Sequence, residues 1–160
     1  MSVPASTPLD LSSVRTADQF AMGVIGPAEL SHMTSKMALE RATNPMAKEF
    51  AEFEFTEAVA IISVLKDLGA TSPQMNANSQ ATVEKIQVAA DGAAFDQAYM
   101  THQAENHRFL RDLATAYLAN SSADTTDMGE KHGRHLATVG LSTFKEHTTM
   151  SERISSEIKA

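Results

Sequence analysis

Helix breakers are few in this chain and unevenly placed. The prolines are Pro4, Pro8, Pro27, Pro45 and Pro73, so the chain after Pro73 has none, and only Pro27 falls within a stretch of helical patterning. Between the breakers, apolar residues recur at three- and four-residue spacing, the period of a helix that buries one face. The apolar set is built from Ala, Met, Leu and Phe, and β-branched runs are rare. That composition favours helices over strands.

Thr16 opens a capping box, T-A-D-Q, with Gln19 at its third position, and helical patterning runs on to about Ala42. Gly26-Pro27 predicts a kink or restart inside this helix, because proline has no amide hydrogen and crowds the carbonyl four residues earlier. Asn44-Pro45 ends one helix and starts the next, from about Pro45 to Leu68, with Gly69 as its terminator. A polar loop, a short helix over about Ser79 to Asp91, and long helices over about Ala93 to Ala119 and Thr126 to Ile158 complete the chain. The connections are short, long and short, which gives two antiparallel hairpins. The link from 69 to 92 is expected to run along the outside, as the crossover of ferritin-like folds does. The expected fold is therefore all-α, a ferritin-like four-helix bundle of two antiparallel helical hairpins joined by a long connection with a short helix. Residues 1–15 read as a flexible arm and 16–160 as the bundle domain.

A net charge of −7 with scattered acidic residues offers no basic stripe for phosphates and argues against nucleic acid as a partner. No stretch approaches the roughly 20 apolar residues of a membrane span, so no membrane insertion is expected. The opening MSVPASTPLDLSSVRT lacks the basic and apolar regions of a secretory signal. Cysteine is absent, which excludes disulfides, thiolate metal sites and thiol catalysis and leaves the compartment open. There is no Gly-rich phosphate loop, G-x-S-x-G elbow or H-E-x-x-H motif, and no catalytic residue is assigned.

Ionisable residues inside the apolar arcs carry what functional information there is. Helix two has Glu54 and Glu57 within an arc of Phe50, Phe53, Ile61, Val64, Leu65 and Leu68. In helix one an arc marked by Met22, Met33 and Met37 contains Glu29, with His32 on its flank. His102, Asn106 and His107 accompany Phe95, Tyr99, Phe109, Leu110, Leu113 and Tyr117 in the third long helix. His132, His135 and His147 share a stripe with Met128, Val139, Met150, Ile154 and Ile158 in the fourth. Phe50, Phe53, Tyr99, Phe109 and Tyr117 are expected to form most of the contact between the hairpins.

Buried ionisable groups are costly unless paired, hydrogen-bonded or bound to a metal. Inward carboxylates and imidazoles on facing helices are how metal-binding bundles hold their ions. Glu29 lies fifteen residues before Asn44 and Glu57 thirteen after it, an axial offset of only ~3 Å. His107 levels with His135, and His102 misses the level of His147 by ~7 Å. The candidate metal residues are thus Glu29, Glu57, His102, His107 and His147, with Fe, Mn or Zn as the ion. Copper on Met128, His132 and His135 is the less favoured arrangement. Against this stands a structural reading, in which the inward groups are satisfied by neighbours, set helix register, and leave the surface to bind another protein or a second copy. A metal-dependent oxidase or catalase-like activity is a third reading.

Three segments resemble a known family. FDQAYMTHQAENH at Phe95 to His107, RATNPMAKEFA at Arg41 to Ala51 and LSTFKEH at Leu141 to His147 are similar to segments of the bacterial ferritin-like family known as domain of unknown function 4142. The resemblance spans most of the chain from Phe20 onward. It implies inward roles for His107 and His147, with Glu57 as a conservative replacement. The family's second-helix Asp-His pair falls on Glu57-Ala58, its first-helix Glu on Ser31, and the Pro before its last His on Ser142. Members are commonly exported and have no assigned activity, which implies a periplasmic location and leaves the function unnamed; the inward residues themselves make metal binding, in stress or metal handling, the first reading.

Overall fold

The computed structural model describes residues 8–159, which hold five α-helices and no strand. They are α1 (Ala17–Arg41), α2 (Pro45–Asp67), α3 (Ala77–Val88), α4 (Ala93–Asn120) and α5 (Met128–Lys159), preceded by a single 3-10 turn at Leu11–Ser13. Of the N-terminal arm, residues 1–7 lie outside the described part; in the remainder Val14 is buried and Leu11 packs against the core.

Local chemistry sets the helix ends. The Thr16 side chain accepts from the Gln19 amide while the Gln19 side chain accepts from that of Thr16, closing the capping box. Asn44 caps α2, accepting from Met46 and Ala47, with Pro45 in the first turn where its missing amide costs nothing. The restart expected as one outcome at Gly26-Pro27 does not occur: α1 is helical through Pro27 to Arg41. Proline removes one rung of the ladder there, but Val24, Ile25 and Ala28 on either side of it are buried and hold both turns in place.

Pairs of touching residues fix the helix directions. Between α4 and α5, Tyr117 meets Glu130, His107 meets His147 and Gln97 meets Ser155, an antiparallel order. Between α1 and α2, His32 stacks on Phe55 and Glu29 lies near Lys66, again antiparallel. Phe20 stacks on Tyr117 and Ser35 bonds to Tyr99, so α1 is antiparallel to α4 as well. It follows that α2 and α4 run the same way. The segment containing α3 returns the chain between them, packing on α1 and α4.

Two of the family-like segments turn out to build one junction. Asp96, at the start of α4, is buried and accepts from Thr43 N (3.1 Å), Thr43 Oγ1 (2.7 Å) and Asn44 N (2.8 Å), which pins the α1–α2 corner. Arg41 stacks over the Phe95 ring and donates to the carbonyls of Gln87 and Ala89, closing the C-terminal end of α3.

The apolar core is in two parts. One gathers Phe20, Val24, Ile25, Leu65, Leu110, Leu113, Tyr117 and Phe144; the other gathers Ala38, Phe50, Phe95, Tyr99, Met100 and Ile154. Three expected faces are rotated; on α5, Met128 and Val139 are exposed at 58% and 69%, while Ala137, Phe144, His147 and Ile154 are buried. Met22, Met33, Phe53 and Val64 are exposed, Phe53 at 53%, and the buried stripe of α2 is Ala47, Phe50, Ala51, Glu54, Ala58 and Leu65. Alanines line these faces because they let helix axes approach closely, which pushes larger apolar side chains to the flanks. Gly133 is buried for the same reason, since a Cβ there would stand 2.5 Å from the Ala17 Cβ.

Candidate metal centre

Between the two apolar parts lies a polar layer to which four helices contribute. Ser31, Thr34 and Ser35 come from α1, Glu54 from α2, His102, Gln103 and His107 from α4, and His147, Thr148 and Ser151 from α5, all buried. Small hydroxyl residues on α1 and α5 leave room for the longer side chains facing them. Thr148 and Ser151 return their hydroxyls to helix carbonyls four residues back, so they draw nothing from the centre.

Three atoms converge in the layer. His147 Nδ1 lies 2.8 Å from Glu54 Oε2, His107 Nε2 lies 3.2 Å from the same oxygen, and the two ring nitrogens are 3.3 Å apart. These residues form the one group of three or more His, Asp or Glu among the described residues whose ligand atoms lie close enough to share an ion. Two of the three are held from behind by hydrogen bonds, and the third faces a carboxylate. His107 Nδ1 is 2.9 Å from the Gln103 carbonyl, which accepts only, so the proton sits on Nδ1 and Nε2 is free to act as a lone pair. Ser31 Oγ donates to Glu54 Oε1 at 2.5 Å. His147 Nε2 lies 3.0 Å from Glu57 Oε2, although its N–H is not aimed for a hydrogen bond and that oxygen is buried without a partner.

The electrostatics are those of an acceptor-rich pocket. Burial disfavours charge on Glu54, but protons on the facing His107 and His147, whose attraction and hydrogen bonds favour the carboxylate, win and hold its carboxyl well below the usual carboxylate range. His147 is pushed up: burial opposes its charge, and the bond and charge of Glu54 followed by the charge of Glu57 outweigh it. Glu57 is raised by burial, with His147 opposing. With Nδ1 of His107 committed to a carbonyl, its Nε2 and the Glu54 carboxylate face each other as two acceptors. Only a positive charge between them, a proton or a cation, makes that arrangement favourable. Ligands about 2.1 Å from one ion stand about 3.0–3.4 Å apart, close to the edges of this triangle.

The structure brings together Glu57, His107 and His147 of the residues singled out by sequence. Glu29 is not among them: it accepts from Ser72 Oγ and lies 3.6 Å from Lys66 Nζ. Its level along α1 suits Glu57, but its rotation does not, and Ser31 two residues on takes the inward place. His102 is buried in the layer with Nε2 unpartnered and does not belong to the converging group. Burial and the neighbouring charge of His107 push its imidazole down to about 4. Met128, His132 and His135 are exposed and form no buried copper site. Glu54 is the residue missing from the sequence-derived set. It had been placed in the α2 arc, and its i+4 spacing from Phe50 and i+3 spacing from Ala51 were the available sign that it sits at the centre of that face.

A family model describing a domain of unknown function, DUF4142, matches residues 5–154, almost the whole chain. The chain belongs to the DUF4142 family. Comparison with curated proteins and with solved structures gives no match. For this DUF4142 chain the family-like segments divide by role: Arg41, Thr43, Asn44, Phe95 and Asp96 make the corner that sets the helices, while His107 and His147 reach the polar layer.

Proposed function

We propose that this DUF4142 protein is a ferritin-like four-helix bundle that binds one divalent metal ion through Glu54 Oε2, His107 Nε2 and His147 Nδ1, in a role of metal handling or stress protection. The observation that carries the reading is the convergence of three ligand atoms, two of them backed by hydrogen bonds from outside: Gln103 O holds His107 Nδ1 and Ser31 Oγ holds Glu54 Oε1, while Glu57 Oε2 faces His147 Nε2 at 3.0 Å without a hydrogen bond. Such outer partners fix ring orientation and ligand basicity in metal sites. Two imidazoles and one carboxylate suit Fe²⁺, Mn²⁺ or Zn²⁺. Glu57 acts here on the outer nitrogen of His147 rather than on the ion, and neither Glu29 nor His102 takes part. When bound, the ion would supply Lewis acidity or redox chemistry.

The test is metal uptake by protein purified without chelator, followed by thermal melting with and without Fe²⁺, Mn²⁺ or Zn²⁺. One ion per chain is expected, and at a hundredfold excess over Kd the native state gains about 2.7 kcal/mol by mass action. Glu54→Met should abolish both. If wild-type protein takes up none of these ions and its melting does not respond, the metal reading fails, and the inward groups are a structural network in a protein-interaction module.

A further inference from the structure

Beside the converging atoms lies a cavity of about 10 Å³. Ala28, Ala58 and Phe144 are among its apolar walls, and Glu54, Glu57 and His107 among its polar ones. Its volume is close to the least that holds one water, about 10–15 Å³. Two of the three proposed ligands therefore border the cavity, and His147 does not. Glu57 contributes an oxygen that is buried and lacks a hydrogen-bond partner. A buried acceptor of this kind beside a void is where a bound molecule replaces the missing bond.

Three protein ligands leave a metal with at least one coordination position to fill, and in sites of two His and one carboxylate the open positions take exogenous ligands. Here the cavity is free space bordered by two of the three ligand residues, Glu54 and His107. We propose that it is the seat of one small uncharged ligand of the metal, a water molecule or a diatomic of similar size, hydrogen-bonded to Glu57 Oε2 where the ligand carries a hydrogen. The apolar walls offer no cation or amide donor to a larger anion, and the size admits only a molecule of two heavy atoms or fewer. This inference rests on the metal reading above and adds to it a reachable coordination position and the class of ligand that takes it.

The experiment uses wild-type protein loaded anaerobically with Fe²⁺ and exposed to nitric oxide, read by the electron paramagnetic resonance signal of a ferrous nitrosyl. Azide added to Fe³⁺-loaded protein is the comparison. A nitrosyl signal close to one per bound iron is expected, with no azide charge-transfer band. Ala58→Val and Ala28→Val, which each add bulk to a cavity wall, should keep iron uptake within about threefold and lower the nitrosyl signal at least tenfold. Iron uptake without a nitrosyl signal in the wild type overturns this inference and leaves the metal reading standing, as does full nitrosyl formation in both valine variants. No iron uptake by the wild type overturns both. The wild-type result decides even where a variant does not fold.

Discussion

Ser31 on α1 donates its hydroxyl to Glu54 on α2 at 2.5 Å, so the polar layer holds one inward carboxylate at the level where Glu29 and Glu57 had been expected to meet as two. A neutral donor in that place leaves the charge of Glu54 to be balanced by His107 and His147 alone. Glu54 is accordingly lowered, and Glu57 is raised by burial with no part played by Glu29.

Ser31→Ala removes that donor and leaves Glu54 Oε1 buried without it. A bond to a charged acceptor is worth about 1.5–3 kcal/mol, and loss of an outer partner weakens a metal site about 10- to 100-fold. Urea unfolding of the metal-free protein should show the first effect and a competitive metal titration the second. Unchanged values in both would mean that Glu54 is positioned without Ser31.

Asp96 is a structural counterpart, far from the converging atoms in role. Asp96→Ala strands two backbone amides and the Thr43 hydroxyl at the α1–α2 corner, and should cost about 3–5 kcal/mol in urea unfolding. Metal affinity of the folded fraction should stay within about threefold. A loss below about 1 kcal/mol would show that the corner is held by its cap alone.

Phe50 and Phe53 separate the observed face of α2 from the face the sequence pattern favours. Phe50 is buried against Tyr99, His107 and His147, so Phe50→Ala should cost about 3–5 kcal/mol. Phe53→Ala should change stability by no more than about 0.5 kcal/mol, as an exposed site. Equal costs in thermal or urea unfolding would contradict the rotation of α2 described above.

His102 gives a pH dependence whose direction follows from burial. Its imidazole titrates at about 4 when folded against 6.5 when free, so the unfolded chain binds the proton more readily between those values. Its contribution is complete above pH 6.5, is lost as pH falls from 6.5 to 4, and changes no further below that, a total on the order of 3 kcal/mol. His147, raised in the fold, works the other way: its contribution is present below 6.5 and is lost as pH rises through the folded value. Comparing stability against pH for wild type and His102→Leu isolates the first contribution. An unchanged profile in the variant would show that His102 is protonated without penalty.

The existence of the helices was legible in the chain because their signals are local. Thr16 with Gln19, Asn44 with Pro45, and Gly69 act within a few residues of themselves, and each marks an end the structure reproduces within about two residues. Gly26-Pro27 does not restart the helix, since a local rule is overridden by burial of the turns on both sides. Helix rotation was not legible. Large apolar side chains at Met22, Met33, Phe53 and Val64 outweighed, in any count of hydrophobicity, the alanines that the closely packed faces in fact bury. That error carried Glu29 inward and left Glu54 aside, although both stood in view.

For the site, residue type could be read from the sequence, and the apolar arcs with the family-like segments put forward His107, His147 and Glu57; level along the helices misled, setting His107 against His135 and Glu57 against Glu29, whereas His107 meets His147. Which nitrogen faces which oxygen could not be read from it. The bond from His107 to the Gln103 carbonyl, the placement of Ser31 behind Glu54, and the cavity bounded by Ala28 and Ala58 depend on side-chain directions from four helices at once. Those directions are set by how closely the helices approach and how each turns about its axis, quantities decided by packing between segments far apart in the chain.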